Sequence, residues 1–384
     1  MDRGGTGAAG GWRGRGAGSP SVDEVTDGGR PLLVSGDGSL LDELARLAAA
    51  TGAAAEVVAG PADIAEVRRS WGTTPLVLVG DDCADALARL HLQRRGGVVL
   101  VDRVGGAEAL ERALHIGAEQ VCSLPADRDR LTDLLGACAD GPAGASVVAV
   151  VGGCGGAGAS VFAAGLAAAA AADGSRSLLV DGDPMGGGLD LLVGAEHVEG
   201  LRWADLAGTS GRLSASTMRD LLPSVRRLSV LSWDHGASMP MPVPAASMQA
   251  VLSAGQRGHD VVVVDLPRRF DAAAESAFVQ AALTVVVVPT EVRGVAAARP
   301  VVLALGRLTS SLGLVLRRTG GSALDPALVA DSLGLPVLAT MRSERHLAES
   351  VDEGLGPLRH RRGQLGRACS QVLAAVGARQ GAVP

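Results

Sequence analysis

Two hydrophobic patterns alternate along the chain. Short runs of consecutive apolar residues, rich in valine and leucine, recur at 31–36, 56–58, 75–79, 98–101 and 120–124. Each is followed by a stretch with helical spacing, such as Leu40, Leu41, Leu44 and Leu47 within residues 39–50. Further helices are expected over 62–70, 84–93, 107–115 and 128–138. Five strands alternating with five helices predict a small doubly wound parallel sheet.

The pattern then starts again. Apolar runs end at Val151, at Asp181, at Asp265, at Thr290, at Leu316 and at Thr340, preceded by segments such as Val261-Val-Val-Val264 and Val285-Val-Val-Val288. Unbroken valine runs without polar alternation are strands buried on both faces, so a second, larger and mostly parallel sheet is expected. The predicted fold is α/β with two doubly wound domains. The first, over 30–138, resembles a receiver-like (flavodoxin-like) domain; the second, over 147–378, resembles a P-loop NTPase-like domain through the glycine-rich stretch Gly152–Ser160 near its start. Residues 139–146 read as a linker, and 1–29 and 379–384 as tails.

The first run of the second block leads into Gly152-Gly-Cys-Gly-Gly-Ala-Gly-Ala-Ser160. A buried strand delivering the chain to a glycine-rich turn and then to a helix is the pattern of a phosphate cradle. Its backbone N–H groups close on an anion, and the helix adds the positive end of its dipole. The expected nucleotide-binding residues are Gly153, Gly155, Gly156, Gly158, Ala159 and Ser160. Such loops ordinarily carry a lysine before the hydroxyl residue. This chain has none there, and none anywhere: all 35 basic residues are arginine. Bias toward arginine does not account for alanine at 159, since arginine would have kept the charge.

Composition narrows the field further. Net charge is −6, which opposes non-specific nucleic-acid binding, and 47% hydrophobic content is enough for real cores. Cysteines 83, 122, 138, 154 and 369 lack metal or disulfide spacing, which suits a reducing cytoplasm. No hydrophobic leader opens the sequence, and the expected localisation is cytoplasmic, with recruitment to membrane or septum through partners. Residues 363–378 place Leu365, Cys369, Val372, Leu373 and Val376 near one helical face. That face is expected to pack on the domain rather than on a membrane. Met239-Pro-Met-Pro-Val-Pro244 reads as a connector.

The second block resembles the deviant-Walker ATPases of the MinD/ParA class. The domain order is similar to that of CpaE-like proteins and of actinobacterial septum-site-determining proteins. Their loop runs Lys-Gly-Gly-x-Gly-Lys-Ser/Thr, against Cys154, Gly155, Gly156, Ala157, Gly158, Ala159 and Ser160 here. The resemblance implies ATP or ADP with Mg²⁺, the metal held by Ser160, Asp181 and Asp265, with Asp183 the catalytic candidate that orders water. It also implies a base-reading asparagine where this chain has arginine, in Val315-Leu-Arg317-Arg318. Arg268 and Arg269 stand where compensating cations could replace both lysines.

The first block resembles a response-regulator receiver, but Leu124 precedes Pro125 where a receiver has lysine, and Gly80 ends the third run. A pseudo-receiver is expected, with Asp81 and Asp82 the only acidic candidates beside that position. The leading functional expectation is a regulator with weak or no ATP hydrolysis, acting in septum-site selection or in pilus or secretion assembly through protein partners, and possible as a homodimer. Two alternatives stay open: an active ATP-dependent dimerisation switch, and a receiver-controlled signalling protein.

Overall fold

The computed structural model describes residues 29–60, 64–140, 144–206, 213–234, 242–320 and 323–380. The N-terminal tail to residue 28, the last four residues and the first half of the Met239–Pro244 connector lie outside them.

The first domain runs β1 (Leu32–Ser35), α1 (Gly38–Ala50), β2 (Glu56–Ala59), α2 (Ile64–Trp71), β3 (Val77–Gly80), α3 (Asp81–Ala88), β4 (Val98–Asp102), α4 (Ala107–Ile116), β5 (Gln120–Ser123) and α5 (Arg128–Asp140). Its strands pair in parallel in the order β2-β1-β3-β4-β5. This is the flavodoxin-like order expected from the pattern. Apolar residues divide between the two faces: Leu33, Leu78 and Val99 pack under α1 and α5, while Leu32, Val77 and Leu100 pack under α2, α3 and α4.

One helix is displaced from its expected place. It begins at Asp81, immediately after β3, rather than at 84. Asp81 and Asp82 therefore form its first turn, where carboxylates meet the positive end of the helix dipole. Asp82 also accepts from Ser35 Oγ at 2.8 Å and from the Gly36 N–H at 2.6 Å, tying α3 to the end of β1.

The second domain runs β6 (Ser146–Gly152), α6 (Ala159–Ala172), β7 (Ser177–Asp181), α7 (Leu189–Val193), α8 (Trp203–Leu206), α9 (Ala215–Leu221), β8 (Ser224–Val225), β9 (Leu228–Leu231), α10 (Ala245–Gly258) and β10 (Val261–Leu266). It continues α11 (Ala272–Gln280), β11 (Leu283–Pro289), α12 (Val292–Leu305), β12 (Leu312–Arg318), α13 (Pro326–Leu333), β13 (Val337–Arg342), α14 (Leu347–Asp352) and α15 (Gln364–Gln380). The sheet order is β13-β12-β11-β6-β10-β7-β9-β8, all parallel except the short β8–β9 pair. Alternate residues of β6 serve opposite cores. Val147, Ala149 and Val151 face α10, α11 and α12, while Val148 and Val150 face α6 and α15. β6 is thus central, and the turn after it opens at the carboxyl edge between β10 and β11.

The last helix lays Leu365, Ala368, Cys369, Val372 and Val376 into the core beside α6. Its apolar face is therefore packed on the domain. Among the described residues no helix is long and apolar enough to cross a membrane.

One buried group carries a pH signature. His259 is 4% exposed, its Nε2 has no partner, and burial together with Arg219 and Arg176 pushes it down to about 4. A histidine lowered on folding contributes stability that is complete above the unfolded value near 6.5 and is lost as pH falls toward 4. Between pH 7.5 and 5 that loss is about 2 kcal/mol by linkage. Asp181 and Asp265, both raised on folding, act in the opposite sense over this range. The informative measurement is therefore the difference in urea midpoints between the wild type and His259→Leu at both pH values. Acid destabilisation should shrink in the variant; an unchanged pH dependence contradicts this account of His259.

Candidate functional site

The turn after β6 is shaped by two glycines in the left-handed region, Gly156 at φ 70° and Gly158 at φ 91°, the latter capping α6. Side chains rarely adopt such angles, so the glycines are required by the turn itself. Gly153 meets a second constraint, because a Cβ there would stand 2.7 Å from the Cβ of Ala298 on α12. α6 is fourteen residues long and has no acidic side chain in its first turn, so the positive end of its dipole is uncompensated by protein carboxylates within that turn.

Ser160, in that first turn, is exposed, and its hydroxyl lies close enough to Asp265, near the end of β10, to favour that residue's carboxylate form. Asp265 is 4% exposed, and burial, reinforced by the charges of Asp181 and Asp183, pushes it up to about 7 despite the serine. Asp181 ends β7, directly across from Asp265 in the parallel register. Its carboxylate accepts from the N–H groups of Asp183 at 3.1 Å and Leu189 at 3.0 Å, and Ser232 Oγ lies 3.2 Å away. Burial still raises it to about 6. Asp183 is half-buried and accepts from the Met185 N–H at 3.0 Å, which holds it at the mouth of this turn.

Three carboxylates and a hydroxyl thus gather beside the glycine turn, with two of the carboxylates raised chiefly by burial. The donor set is hard oxygen, the chemistry of Mg²⁺. Among the described residues no group of three or more His, Cys, Asp or Glu is placed to hold a metal ion by itself. A magnesium ion here would have to take most of its shell from phosphate and water, as these ions usually do.

Asp181 rests on a packed floor. Trp203 Nε1 donates to its backbone carbonyl at 2.6 Å, and Trp203 and Trp233 lie with centroids 6.0 Å apart. Asp190, fully buried, is bonded to Ser232 at 3.0 Å and approached by Arg202 at 3.8 Å. These supporting residues carry no motif and are invisible until the chain is folded.

The arginines separate. Arg268 lies against the loop, its Nη2 3.5 Å from where a Cβ on Gly155 would stand. Arg269 is exposed and pairs with Asp271 at 3.7 Å. Arg317, at the end of β12, donates Nη2 to the carbonyl of Gly156 at 2.8 Å. The sequence marked Arg317 only as a departure from a base-reading asparagine. Its place at the carboxyl end of a buried parallel strand was the available signal for a ligand contact. Cys154 is half-buried and Ala159 carries no charge to the loop.

In the first domain, Asp81 is held in an ion pair with Arg112 at 2.5 Å, and Asp82 is committed to β1. Leu124, where a receiver has lysine, is buried in the core under α1 and α5.

Residues 34–146 match the model of the Rv3660c-like, CheY-like N-terminal domain. Residues 148–358 match the CobQ/CobB/MinD/ParA nucleotide binding domain. Uncharacterized protein Rv3660c of Mycobacterium tuberculosis (strain ATCC 25618 / H37Rv) is 42% identical over 343 residues, covering 88% of this chain and 95% of that one. Among solved structures, the septum site-determining protein MinD complexed with Mg-ADP from Pyrococcus horikoshii OT3 aligns at a TM-score of 0.53 and 20% identity. That alignment covers 62% of this chain and 98% of that one. A ParA family ATPase from Chlorobium tepidum TLS aligns at 0.53 and 17%, covering 60% and 99%. The MinC:MinD cell division protein complex of Aquifex aeolicus aligns at 0.51 and 20%, covering 61% and 96%. At such identities the structural likeness concerns the fold alone, whereas the family models and the relative cover most of the sequence. The chain belongs to the CobQ/CobB/MinD/ParA nucleotide-binding family, in the form that carries a CheY-like N-terminal domain.

Proposed function

We propose that this protein is a regulatory MinD/ParA-like module that binds Mg-nucleotide weakly, hydrolyses it at or near background, and presents a nucleotide-dependent surface to protein partners. The observation that carries this reading is the gathering of Ser160, Asp181 and Asp265 beside a glycine loop whose two lysine positions hold Cys154 and Ala159. Ser160, Asp181 and Asp265 would hold Mg²⁺, and the loop N–H groups from Gly153 to Ser160 the phosphates. The bound metal supplies charge neutralisation between phosphate oxygens. Asp183 would orient water. An apolar groove of about 390 Å³, lined by Gly158, Val161, Met341, Leu347 and Val351 and edged by Arg317, adjoins the loop and is of nucleoside size.

Loss of a charge-assisted hydrogen bond costs about 1.5–3 kcal/mol of binding. Loss of a group that stabilises developing charge costs a further factor of about 100–1,000 in rate. A loop deprived of both lysines therefore retains a binding role more readily than a catalytic one. The division or pilus and secretion machinery is the partner class in this reading. The MinC:MinD complex among the structural neighbours is a case of such a domain meeting a protein partner. Self-association into a homodimer is the other partner mode of this reading. A second reading, an ATP-driven dimerisation switch with arginines in place of lysine, draws support from Arg268 beside Gly155.

The test of the site is Ser160→Ala. It removes one metal ligand from an exposed helix start and leaves packing intact. Calorimetry should show Mg²⁺-dependent nucleotide binding that the variant weakens about tenfold. Nucleotide binding that is indifferent both to Mg²⁺ and to this substitution contradicts the assignment.

A further inference from the structure

We propose that Arg317, together with Arg268, supplies the positive charge that the glycine loop itself lacks, so that the site takes Mg²⁺-bound polyphosphates through two guanidinium groups reaching it from neighbouring strands. The inference rests on the nucleotide-binding reading of this loop and identifies the residues that would make such binding work.

The topology brings the two together. β6 ends in the loop and is flanked by β10 on one side and β11 then β12 on the other. Arg268 follows β10 and Arg317 lies near the end of β12, so their side chains approach the loop from opposite directions. Arg268 reaches Gly155, while Arg317 bonds Gly156 and brings Nη1 to 3.4 Å from the Cβ position of Gly158.

Among the described residues neither cation is paired with a carboxylate. Among the described residues, Arg268 has no ion pair, and Arg317 has a single bond, to a carbonyl rather than a carboxylate. Arg317 Nε is buried and has no acceptor at all. A buried donor without a partner is costly, and a native structure that retains one calls for an explanation. An anion seated in the loop would supply acceptors to the guanidinium that the protein leaves unused. Arg269, two-thirds of the way into solvent and facing Asp271, has no such need. Glu344 shares the groove with Arg317, but one of its oxygens accepts from the Leu365 N–H at 2.9 Å, at the start of α15.

Guanidinium presents donors in a planar fork that matches phosphate oxygens, so arginine serves here where alanine at 159 cannot. Recognition by charge rather than by a base-reading amide also implies that the polyphosphate carries most of the affinity.

Calorimetric titrations of the full chain with Mg-ATP and with Mg-bound inorganic triphosphate test this directly, using Arg317→Gln, Arg317→Lys, Arg268→Gln and Arg269→Gln. Thermal melts establish that each variant is folded. The proposal expects Arg317→Gln and Arg268→Gln each to weaken both ligands about tenfold or more. Arg317→Lys, which keeps the charge but not the fork, should fall between wild type and Arg317→Gln, Arg269→Gln should be unchanged, and Ala159→Lys added to Arg317→Gln should restore affinity. Equal affinity in wild type and Arg317→Gln overturns the proposal while leaving the nucleotide site standing. Loss of Mg-ATP but not triphosphate overturns it too, since Arg317 would then act on the nucleoside. An unaffected Arg268→Gln removes Arg268 from the pair. A wild type that binds neither ligand at millimolar concentration refutes the nucleotide reading itself.

Discussion

Ala159→Lys is expected to tighten Mg-ATP binding by about 10- to 150-fold, the gain from one charge-assisted hydrogen bond of roughly 1.5–3 kcal/mol. The residue occupies the first helical position of α6, directly after Gly158, and is half-buried against the loop. A lysine there needs no rearrangement of the turn, whose angles are set by Gly156 and Gly158. Its ammonium would join a loop already approached by Arg268 and Arg317, so mutual repulsion of the cations should hold the gain toward the lower end. Isothermal titration against wild type measures the change, with Ala159→Leu as the control for added bulk. An unchanged or weaker affinity in the lysine variant would mean that the loop does not cradle phosphate.

The second large effect concerns the floor of the site. Trp203→Ala should destabilise the second domain by roughly 3–5 kcal/mol, within the range for deleting a fully buried aromatic. Trp203 is 0% exposed, and its loss opens a cavity among Leu206, Met218 and Leu231 while orphaning the carbonyl of Asp181. Against a total stability of about 5–15 kcal/mol such a loss is severe, and the Asp181 turn should loosen with it. Trp203→Phe keeps most of the volume and forfeits only the hydrogen bond, so it should fall between. Urea denaturation followed by circular dichroism reads both. A loss below about 1 kcal/mol for the alanine variant would show that the floor is not packed as described.

Much of this architecture is legible in the sequence because its strands are buried on both faces. Runs such as Val261–Val264 admit few other readings, and the ends of those strands mark the ligand edge. The short β8–β9 hairpin escapes notice because two strands of two and four residues carry little pattern, and their turn places Arg226 at φ 61°, an angle no arginine advertises. The start of α3 is misjudged for a different reason. Two adjacent aspartates read as a loop until they are seen to be a helix's first turn, tied back to β1.

The site divides in the same way. Ser160, Asp181 and Asp265 each lie at or within one residue of the end or start of an element and can be read from position alone. Their meeting depends on strand order, with β10 lying between β6 and β7. Arg268 and Arg269 are neighbours in sequence and indistinguishable there, yet one faces the loop and the other Asp271. Only the direction of the side chain separates them, and that follows from packing. Arg317 illustrates the converse: its presence was noticed as a missing asparagine, while its contact with Gly156, 161 residues away, belongs to the fold.

The measurement that bears most directly on the central claim is steady-state phosphate release from Mg-ATP by the wild-type protein, run beside Asp183→Ala on matched samples whose nucleotide occupancy is known from calorimetry. The account predicts that wild-type protein carrying bound nucleotide releases phosphate no faster than Asp183→Ala, with both at the level of protein-free buffer. A sustained wild-type rate that Asp183→Ala abolishes would contradict it and make the protein a working ATPase that manages without loop lysines.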